Sequence, residues 1–242
     1  MTRRLLVILL LLAAGPALAE KLVFAMPAEE ANSPTTINER FEFSLKVMRE
    51  VGRRAGYDFE FRTMPFPRCL EEVKQGRVDG GIGFLRTPER EKFADYSREG
   101  VTLIQQAIFK VRGRQVAVGP DFAWLTGKRV GIINNTTHGR ALDSAIHGPA
   151  VRELVLAEDY DQLVRMVASG RIDFAVSPRD TMVTILARLG LGDEVVELPV
   201  GLEPLPTHVI FTRARDMRAA RQHIDEALAA MKADGTFSTL HK

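Results

Sequence analysis

The chain has 242 residues, with 33 Lys and Arg against 31 Asp and Glu, and a single cysteine. This charge balance gives no global electrostatic case for binding nucleic acid or acidic membranes, so we expect neither as a partner. One cysteine excludes an internal disulfide. Stability must therefore come from packing, which a chain of this length supplies in one large core or two modest ones.

The first nineteen residues have the pattern of a secretory signal peptide. Arg3-Arg4 form a basic start, residues 5–15 are an apolar stretch, and Ala17-Leu18-Ala19 is a small-residue cleavage site before Glu20. The apolar stretch is too short for a membrane span, although a retained anchor is the alternative interpretation. We predict cleavage after Ala19 and a soluble, exported mature protein.

Short strands alternate with helices in the first part of the mature chain. Residues 21–26, 58–64 and 78–84 predict strands, whereas apolar side chains in residues 37–51 recur at spacings of three and four, which predicts a helix. A second helix is predicted within residues 66–76. Strands alternating with helices predict a parallel sheet whose ligand crevice lies in the loops at the carboxyl ends of the strands.

The same pattern then begins again. The predicted strands are 102–111, 129–133, 153–157, 174–177, 194–198 and 207–212, and the predicted helices are 160–168, 181–189 and 217–233. Gly-Arg-Ile-Asp at 170–173 repeats Gly-Arg-Val-Asp at 76–79, each between a helix and a strand. We infer two similar lobes.

The strand ending at residue 84 leads into a candidate anion site. Thr87 is predicted to be a helix N-cap, with Pro88 at the first helical position. Arg90 in the first turn is unexpected, because a cation there opposes the helix dipole by ~0.3–1 kcal/mol. A guanidinium beside helix-opening amides suits a carboxylate ligand. The alternative is an ion pair with a neighbouring acid on the surface.

Sequence motifs for other chemistry are absent. The five histidines have no HxxxH spacing, and no P-loop, GxSxG or strand-following GxGxxG occurs. We therefore expect no metal and no cofactor, and a binding protein rather than an enzyme.

Two features of small residues have structural interpretations. We expect Cys69 to be a buried small hydrophobe, the alternative being a thiol whose pKa is lowered at a helix start beside Arg68. The glycines of Gly80-Gly81-Ile82-Gly83 are expected to let a ligand or a helix approach the sheet.

Five motifs in order resemble one protein family. They are R-x-L-x-x-V-x-x-G-R-x-D, T-P-E-R, D-Y-S, G-K-R-V-G-I-I-N-N-T-T and A-L-A-A-M-K-A-D-G-T-F. Over roughly residues 20–242 this set is similar to the family 3 periplasmic solute-binding proteins, which serve polar amino-acid ABC importers. The resemblance implies a carboxylate-bearing small-molecule ligand, an ABC permease in the inner membrane as partner, and a monomer.

The resemblance also implies a fold. It is the α/β type II periplasmic binding protein fold, in which each of two lobes is a mixed, mostly parallel sheet flanked by helices. We expect residues 20–98 and 203–242 to form the first lobe and residues 99–202 the second. The crossings between the lobes are placed near residues 97–101 and 199–206.

Site residues follow from the resemblance by position. The arginine of the family's T-x-x-R grips the ligand α-carboxylate, and Arg90 stands there. The second-lobe loop that hydrogen-bonds the same carboxylate corresponds to Asn135-Thr136-Thr137, although N-capping is the alternative role for Thr137.

Two departures from the family pattern leave the ligand open. Leu85 stands where many relatives have Ser or Thr, and Pro178, between Ser177 and Arg179, stands where they have the aspartate for the α-ammonium. A buried ammonium needs a partner. The substitutes considered are Asp180, Glu29 and Glu30.

Without such a partner the ligand need not be an α-amino acid. Arg68, Arg90 and Arg179 together would suit a small organic acid. Phe66 and Phe84 are expected either to pack over the ligand or to belong to the core. The predicted ligand-binding residues are Arg90, Thr137, Thr136, Asn135, Phe84, Leu85, Arg68, Phe66, Glu29, Ser177 and Arg179.

Two rival functions remain on the same fold. The first is a dehydratase-like enzyme in which Glu29 or Glu30 acts as general acid. The second is a soluble sensor that presents its ligand to a membrane receptor.

Overall fold

The structure is a computed structural model that describes residues 19–27, 39–119 and 121–240. Residues 1–18 of the predicted signal peptide, the loop with Glu29 and Glu30, and the predicted helix start at Ile37 lie outside the described residues. In the three described ranges, no helix combines the length and the apolar character needed to cross a membrane.

The described residues form eleven strands and eight α-helices. The strands are β1 (Glu20–Pro27), β2 (Tyr57–Met64), β3 (Gly80–Phe84), β4 (Ala94–Tyr96), β5 (Thr102–Ile104), β6 (Gln106–Val111), β7 (Arg129–Ile133), β8 (Glu153–Ala157), β9 (Phe174–Pro178), β10 (Val195–Leu198) and β11 (Leu205–Thr212). The helices are α1 (Glu39–Ala55), α2 (Phe66–Lys74), α3 (Pro88–Glu91), α4 (Arg140–Ile146), α5 (Tyr160–Ala168), α6 (Arg179–Leu189), α7 (Arg218–Ala233) and α8 (Thr236–Thr239).

The strands form two sheets, one in each lobe. The first sheet has the order β2-β1-β3-β11-β4, with β5 paired to β11, and the second has the order β10-β6-β9-β7-β8. Strands β1, β2 and β3 are parallel, as are β7, β8 and β9. Strands β11 and β6 pair antiparallel with their neighbours. The predicted two-lobed α/β architecture is confirmed.

Each sheet is covered on both faces by helices. The first sheet packs one face on α1 and α7, through residues such as Phe24 and Ile224, and its other face on α2 through Cys69. The second sheet packs on α5 and α6 on one face and on α4 on the other. Cys69 is fully buried, as predicted, and burial raises the pKa of its thiol above the ordinary value.

The repeated Gly-Arg-Val/Ile-Asp motif has the same structural role in both lobes. Asp79 donates its backbone N–H to the Val23 carbonyl at 2.8 Å and accepts the Val23 N–H on its carboxylate at 2.7 Å. Asp173 does the same with Arg129, both at 2.8 Å. Each aspartate thus joins the start of its own strand to the neighbouring parallel strand, β1 or β7.

The predicted single strand at residues 102–111 is wrong, because the chain changes sheets inside it. Strand β5 pairs with β11 in the first sheet, whereas β6 pairs with β9 and β10 in the second. Gln105 separates them, and its side-chain amide donates to the Leu202 carbonyl at 2.7 Å. Strands β5 and β11 therefore bring the two connections between the lobes side by side. The exact lobe boundaries at 98/99 and 202/203 stay a prediction.

The glycines of β3 make room for the protein itself. A Cβ on Gly80 would lie 2.0 Å from the Ile210 carbonyl oxygen of β11, and one on Gly81 would lie 2.5 Å from the Phe84 ring. The expectation that these two positions admit a ligand or a helix is therefore wrong. The close neighbours are an adjacent strand and a core aromatic ring.

Candidate ligand-binding site

Loops at the carboxyl ends of the parallel strands meet in a cleft between the lobes. The cleft holds an inner and an outer cavity, and both are lined by Leu85, Arg90, Thr136 and Thr137. These residues follow β3 and β7, one parallel strand from each sheet. The crevice lies where parallel-sheet topology predicts it.

Arg90 is buried at the meeting point of the lobes and is 5% exposed. Its backbone N–H donates to the Thr87 hydroxyl at 3.2 Å, which confirms the predicted N-cap. One terminal nitrogen donates to the Leu85 carbonyl at 2.8 Å, and the other donates across the cleft to the Asn135 carbonyl at 2.9 Å.

Arg90 makes no direct ion pair with an acid in the described ranges, although the charges of Asp143 and Glu89 act to raise its pKa. No carboxylate in the described ranges forms an ion pair with it, so the alternative of a surface ion pair does not apply. Burial lowers the pKa of Arg90 from its ordinary value, because desolvation penalises the charged form. An arginine nevertheless remains protonated in proteins. The cleft thus contains a buried positive charge whose polar contacts are mostly to carbonyl oxygens.

Two aromatic rings support this guanidinium. Its carbon lies 5.2 Å from the centroid of Phe66 and 5.9 Å from that of Phe84, and the two rings stack with centroids 5.4 Å apart. Phe66 lines the inner cavity, whereas Phe84 is fully buried in the first-lobe core. Ligand contact by Phe66 stays a prediction, whereas Phe84 belongs to the core and does not line either cavity.

The second-lobe wall is the loop after β7. Asn135 has a left-handed backbone conformation, with φ 61°, which turns its carbonyl toward Arg90. The Thr136 hydroxyl donates to the Ile133 carbonyl at 2.6 Å. The Thr137 hydroxyl donates to the Asp143 carboxylate, so it does not cap α4. The backbone N–H of Thr137 makes no hydrogen bond with any described residue, which leaves it available as a donor.

His138 and Gln106 form a buried polar pair on the same wall. The Nδ1 of His138 lies 3.0 Å from the Gln106 side-chain oxygen, and its Nε2 lies 3.1 Å from the Thr136 hydroxyl. Burial lowers the pKa of His138 to about 4. The imidazole is therefore neutral near pH 7 and adds no charge to the cleft.

Some predicted site residues lie elsewhere. Arg68 has a 69% exposed side chain 3.7 Å from Glu72. Arg179 pairs with Glu197 at 2.7 Å on the surface. Neither lines the cleft cavities, so the structure does not bring Arg68 and Arg179 together with Arg90. Each of these arginines lies in the first turn of a helix, and its ion pair with a nearby acid holds the side chain outside the cleft.

Ser177 also lies apart from the two cleft cavities. Ser177 is fully buried, and its hydroxyl donates to the Pro178 carbonyl at 3.1 Å. Glu29 lies outside the described residues. Asp180, considered as a partner for an ammonium group, instead accepts a hydrogen bond from Arg40 at 2.8 Å.

Sequence reasoning missed five polar residues of the inner cavity: Arg40, Gln106, His138, Tyr160 and Thr181. Arg40 is an isolated cation on a helix, a pattern shared with many solvent-exposed positions. Gln106 and His138 come from different elements, and only the fold joins them. The sequence feature that could have indicated Arg40 is the aromatic residue beside it, Phe41. The guanidinium carbon of Arg40 lies 4.3 Å from the centroid of the Phe41 ring.

The described residues that line the inner cavity have the chemistry of an anion-binding site. Its described lining combines two guanidiniums, three threonines, Gln106 and His138 with apolar side chains, and contains no carboxylate. The described residues also contain no group of three or more His, Cys, Asp or Glu side chains able to hold a metal ion.

Comparison with curated proteins supports a binding protein. The chain is 27% identical over 239 residues to ABC transporter arginine-binding protein 1 of Escherichia coli K12, covering 93% of this chain and 91% of that protein. It is 22% identical over 233 residues to the histidine-binding periplasmic protein of Salmonella typhimurium LT2, covering 89% and 82%.

Solved structures have the same fold. An ancestral arginine-binding protein bound to arginine matches with a TM-score of 0.73 and 20% identity, covering 93% of this chain and 98% of that one. A histidine kinase sensor domain with similarity to periplasmic binding proteins matches with a TM-score of 0.72 and 19% identity, covering 92% and 95%.

The family model for bacterial extracellular solute-binding proteins, family 3, matches residues 42–242. This match spans most of the chain and confirms the resemblance drawn from the ordered motifs. The relatives are solute-binding proteins, which confirms the prediction of a binding protein rather than an enzyme. The chain belongs to the family 3 bacterial extracellular solute-binding proteins.

Proposed function

We propose that this chain is the periplasmic substrate-binding component of an ABC importer and that it binds a small carboxylate-bearing solute, an amino acid or a related organic acid, in the inter-lobe cleft. The observation that carries the proposal is the buried guanidinium of Arg90, which faces both cavities without a carboxylate partner among the described residues. A buried charge is costly until a counter-charge pairs with it. A ligand carboxylate supplies that counter-charge.

Both lobes offer donors to this carboxylate. Arg90 uses one N–H of each terminal nitrogen for a carbonyl, which leaves donors of its planar fork for the ligand. Thr137, whose backbone N–H makes no hydrogen bond with a described residue, lines the inner cavity from the second lobe. Charge-assisted hydrogen bonds from both lobes to one anion stabilise the closed arrangement more than the open one.

Closure of the two lobes then determines which form of the protein the permease contacts. The Arg90–Asn135 contact joins the lobes directly, and β5 with β11 forms the paired connection about which they can move. A ligand that binds the closed form more tightly raises its population in proportion to that preference. An inner-membrane permease that recognises the closed form would receive loaded protein, which acts as a monomer in this scheme.

The relatives support the class of cargo. Two of them are described as arginine-binding and histidine-binding proteins, and both cargoes carry a carboxylate. Export to the periplasm, with cleavage after Ala19, agrees with the periplasmic location in the name of the histidine-binding protein.

Thermal unfolding in the presence of amino acids and organic acids tests this proposal. A true ligand raises the melting temperature in line with a stabilisation of RT ln(1 + [L]/Kd), about 2.7 kcal/mol at a concentration of 100 times Kd. Arg90→Gln removes the charge and should abolish the shift. Arg68→Gln removes an arginine that lies outside the cleft and should leave it unchanged. A ligand response that survives in Arg90→Gln would refute the assignment.

A further inference from the structure

We propose that the ligand is a small dicarboxylate without an ammonium group, and that Arg40 holds its second carboxylate while Arg90 holds the first. This inference rests on the proposed function, because it names the class of solute that the same cleft takes. It concerns a residue, Arg40, that sequence reasoning did not single out.

Arg40 is a second, largely buried guanidinium that lines the inner cavity. Its side chain is 9% exposed, and its Nε donates to the Asp180 carboxylate at 2.8 Å across the cleft. Its two terminal nitrogens make no hydrogen bond with any residue in the described ranges. Since Arg40 lines the inner cavity, those nitrogens are donors open to a ligand.

The two arginines give the inner wall an excess of positive charge. Asp180 offsets one of the two charges, and it is itself 35% exposed and absent from the cavity lining. His138 is buried and neutral near pH 7. One ligand carboxylate on Arg90 leaves the terminal N–H groups of Arg40 without an acceptor, whereas a second ligand carboxylate accepts hydrogen bonds from them.

The described residues of the inner cavity offer no carboxylate to an ammonium group, whereas Glu71, Glu89 and Asp143 line only the outer cavity. A buried ammonium requires a carboxylate or a set of acceptors around it. No Asp or Glu lines the inner cavity among the described residues, and Pro178 occupies the position where the family pattern has its aspartate. A ligand ammonium there would also face Arg40 and Arg90, both of like charge.

The remaining lining suits a short hydrocarbon chain. Phe41, Phe66, Leu85 and Ile104 contribute apolar surface to the cavity that both guanidiniums line. A dicarboxylate has charged ends and an apolar middle, which is the same distribution of chemistry.

Isothermal titration of the mature protein with a ligand panel tests the inference. The panel contains malonate, succinate, glutarate and adipate, the amino acids L-aspartate and L-glutamate, and the monocarboxylate butyrate. We expect the best dicarboxylate to bind at least about thirty-fold more tightly than its monocarboxylate or amino-acid counterpart, the factor expected for one buried charge pair. Equal or tighter binding of the amino acids would overturn the inference, because it would demonstrate a partner for the ammonium.

Two variants distinguish a direct contact of Arg40 with the ligand from its contact with Asp180 of the other lobe. Arg40→Gln should weaken dicarboxylate binding by about thirty-fold or more while leaving butyrate binding within about two-fold. Asp180→Asn breaks the same contact between the lobes but keeps the guanidinium, so it should retain dicarboxylate binding. Equal losses in Arg40→Gln and Asp180→Asn would show that Arg40 acts only through the lobe contact, and would overturn the inference.

The outcomes also distinguish this inference from the proposed function. Tight binding of an amino acid that depends on Arg90 and not on Arg40 would refute the dicarboxylate and leave the carboxylate-binding function intact. A failure of every carboxylate in the panel to bind would refute both.

Discussion

Replacing Asp173 with asparagine removes a negative charge that the second lobe uses at the start of β9. The Asp173 carboxylate accepts the Arg129 backbone N–H at 2.8 Å and pairs with the Arg114 guanidinium at 2.6 Å. Its side chain is 11% exposed, whereas those of Arg114 and Arg129 are about one-third exposed. Asparagine has nearly the same shape and keeps one acceptor, so the loss is mainly that of the charge.

We expect this substitution to lower the free energy of unfolding by about 2–3 kcal/mol. A hydrogen bond to a charged group contributes about 1.5–3 kcal/mol, and the partly exposed arginines keep the total near the value of one or two such bonds. For a protein of this size that corresponds to a fall in melting temperature of roughly 5–10 °C. Urea unfolding followed by circular dichroism at pH 7 measures it.

The pH dependence of the loss follows from the pKa of Asp173. Burial acts to raise that pKa, but hydrogen bonds from Arg129 and the charge of Arg114 outweigh burial, and the pKa is lowered overall. A lowered carboxyl pKa contributes stability that is complete above the unfolded value of about 3.9 and is lost as pH falls through the folded value. The difference between the two proteins should therefore shrink below about pH 4.

Asp79→Asn is the matched variant in the first lobe, because Asp79 makes the same two backbone hydrogen bonds with Val23. It should destabilise in the same direction. A loss below about 0.5 kcal/mol for Asp173→Asn at pH 7, the size of an ordinary surface substitution, would refute the reasoning. So would a loss that stays constant down to pH 3.

Three further predictions concern single residues. Burial lowers the pKa of His138 to about 4, so between about pH 6.5 and pH 4 only the unfolded state binds the proton. The free energy of unfolding should therefore decrease by on the order of 3 kcal/mol as the pH falls through that window. Urea unfolding of His138→Gln should show a smaller decrease. Gly80→Ala places a Cβ 2.0 Å from a backbone oxygen and should destabilise by more than about 2 kcal/mol or prevent folding, whereas Gly201→Ala, with nothing within 4 Å, should leave the melting temperature nearly unchanged. Cys69 should resist a thiol reagent such as Ellman's until urea unfolds the protein, because it is fully buried and its thiol pKa is raised; fast labelling of the native protein would contradict its burial.

Local sequence patterns predicted most of the secondary structure. The predicted strands 129–133 and 153–157 and the predicted helix 160–168 have the observed bounds, since periodicity and caps act within a few residues. The Thr87 cap was predicted for the same reason, because its partner lies three residues away. Where a strand changed partner at Gln105, the periodicity gave no signal, since both halves are equally apolar.

The sequence predicted some of the residues that line the cleft and not others. The loop after β3 was identified because an arginine in the first turn of a helix opposes the dipole, and the structure places Arg90 in the cleft. Arg68 and Arg179 are predicted to join Arg90 around a small organic acid, yet each pairs with an acid outside the cleft. No pattern in the sequence distinguishes these cases.

The sequence by itself determined the family, the alternation of strands and helices, the repeated Gly-Arg-Val/Ile-Asp turn and the candidacy of Arg90, because each depends on neighbours along the chain. Only the tertiary structure decided that Arg40 shares a cavity with Arg90 and that Asn135 faces Arg90 from the other lobe. The physical reason is that the partner of a charged side chain is set by packing between segments far apart in sequence. Arg40 and Asp180, for example, are 140 residues apart and meet at 2.8 Å.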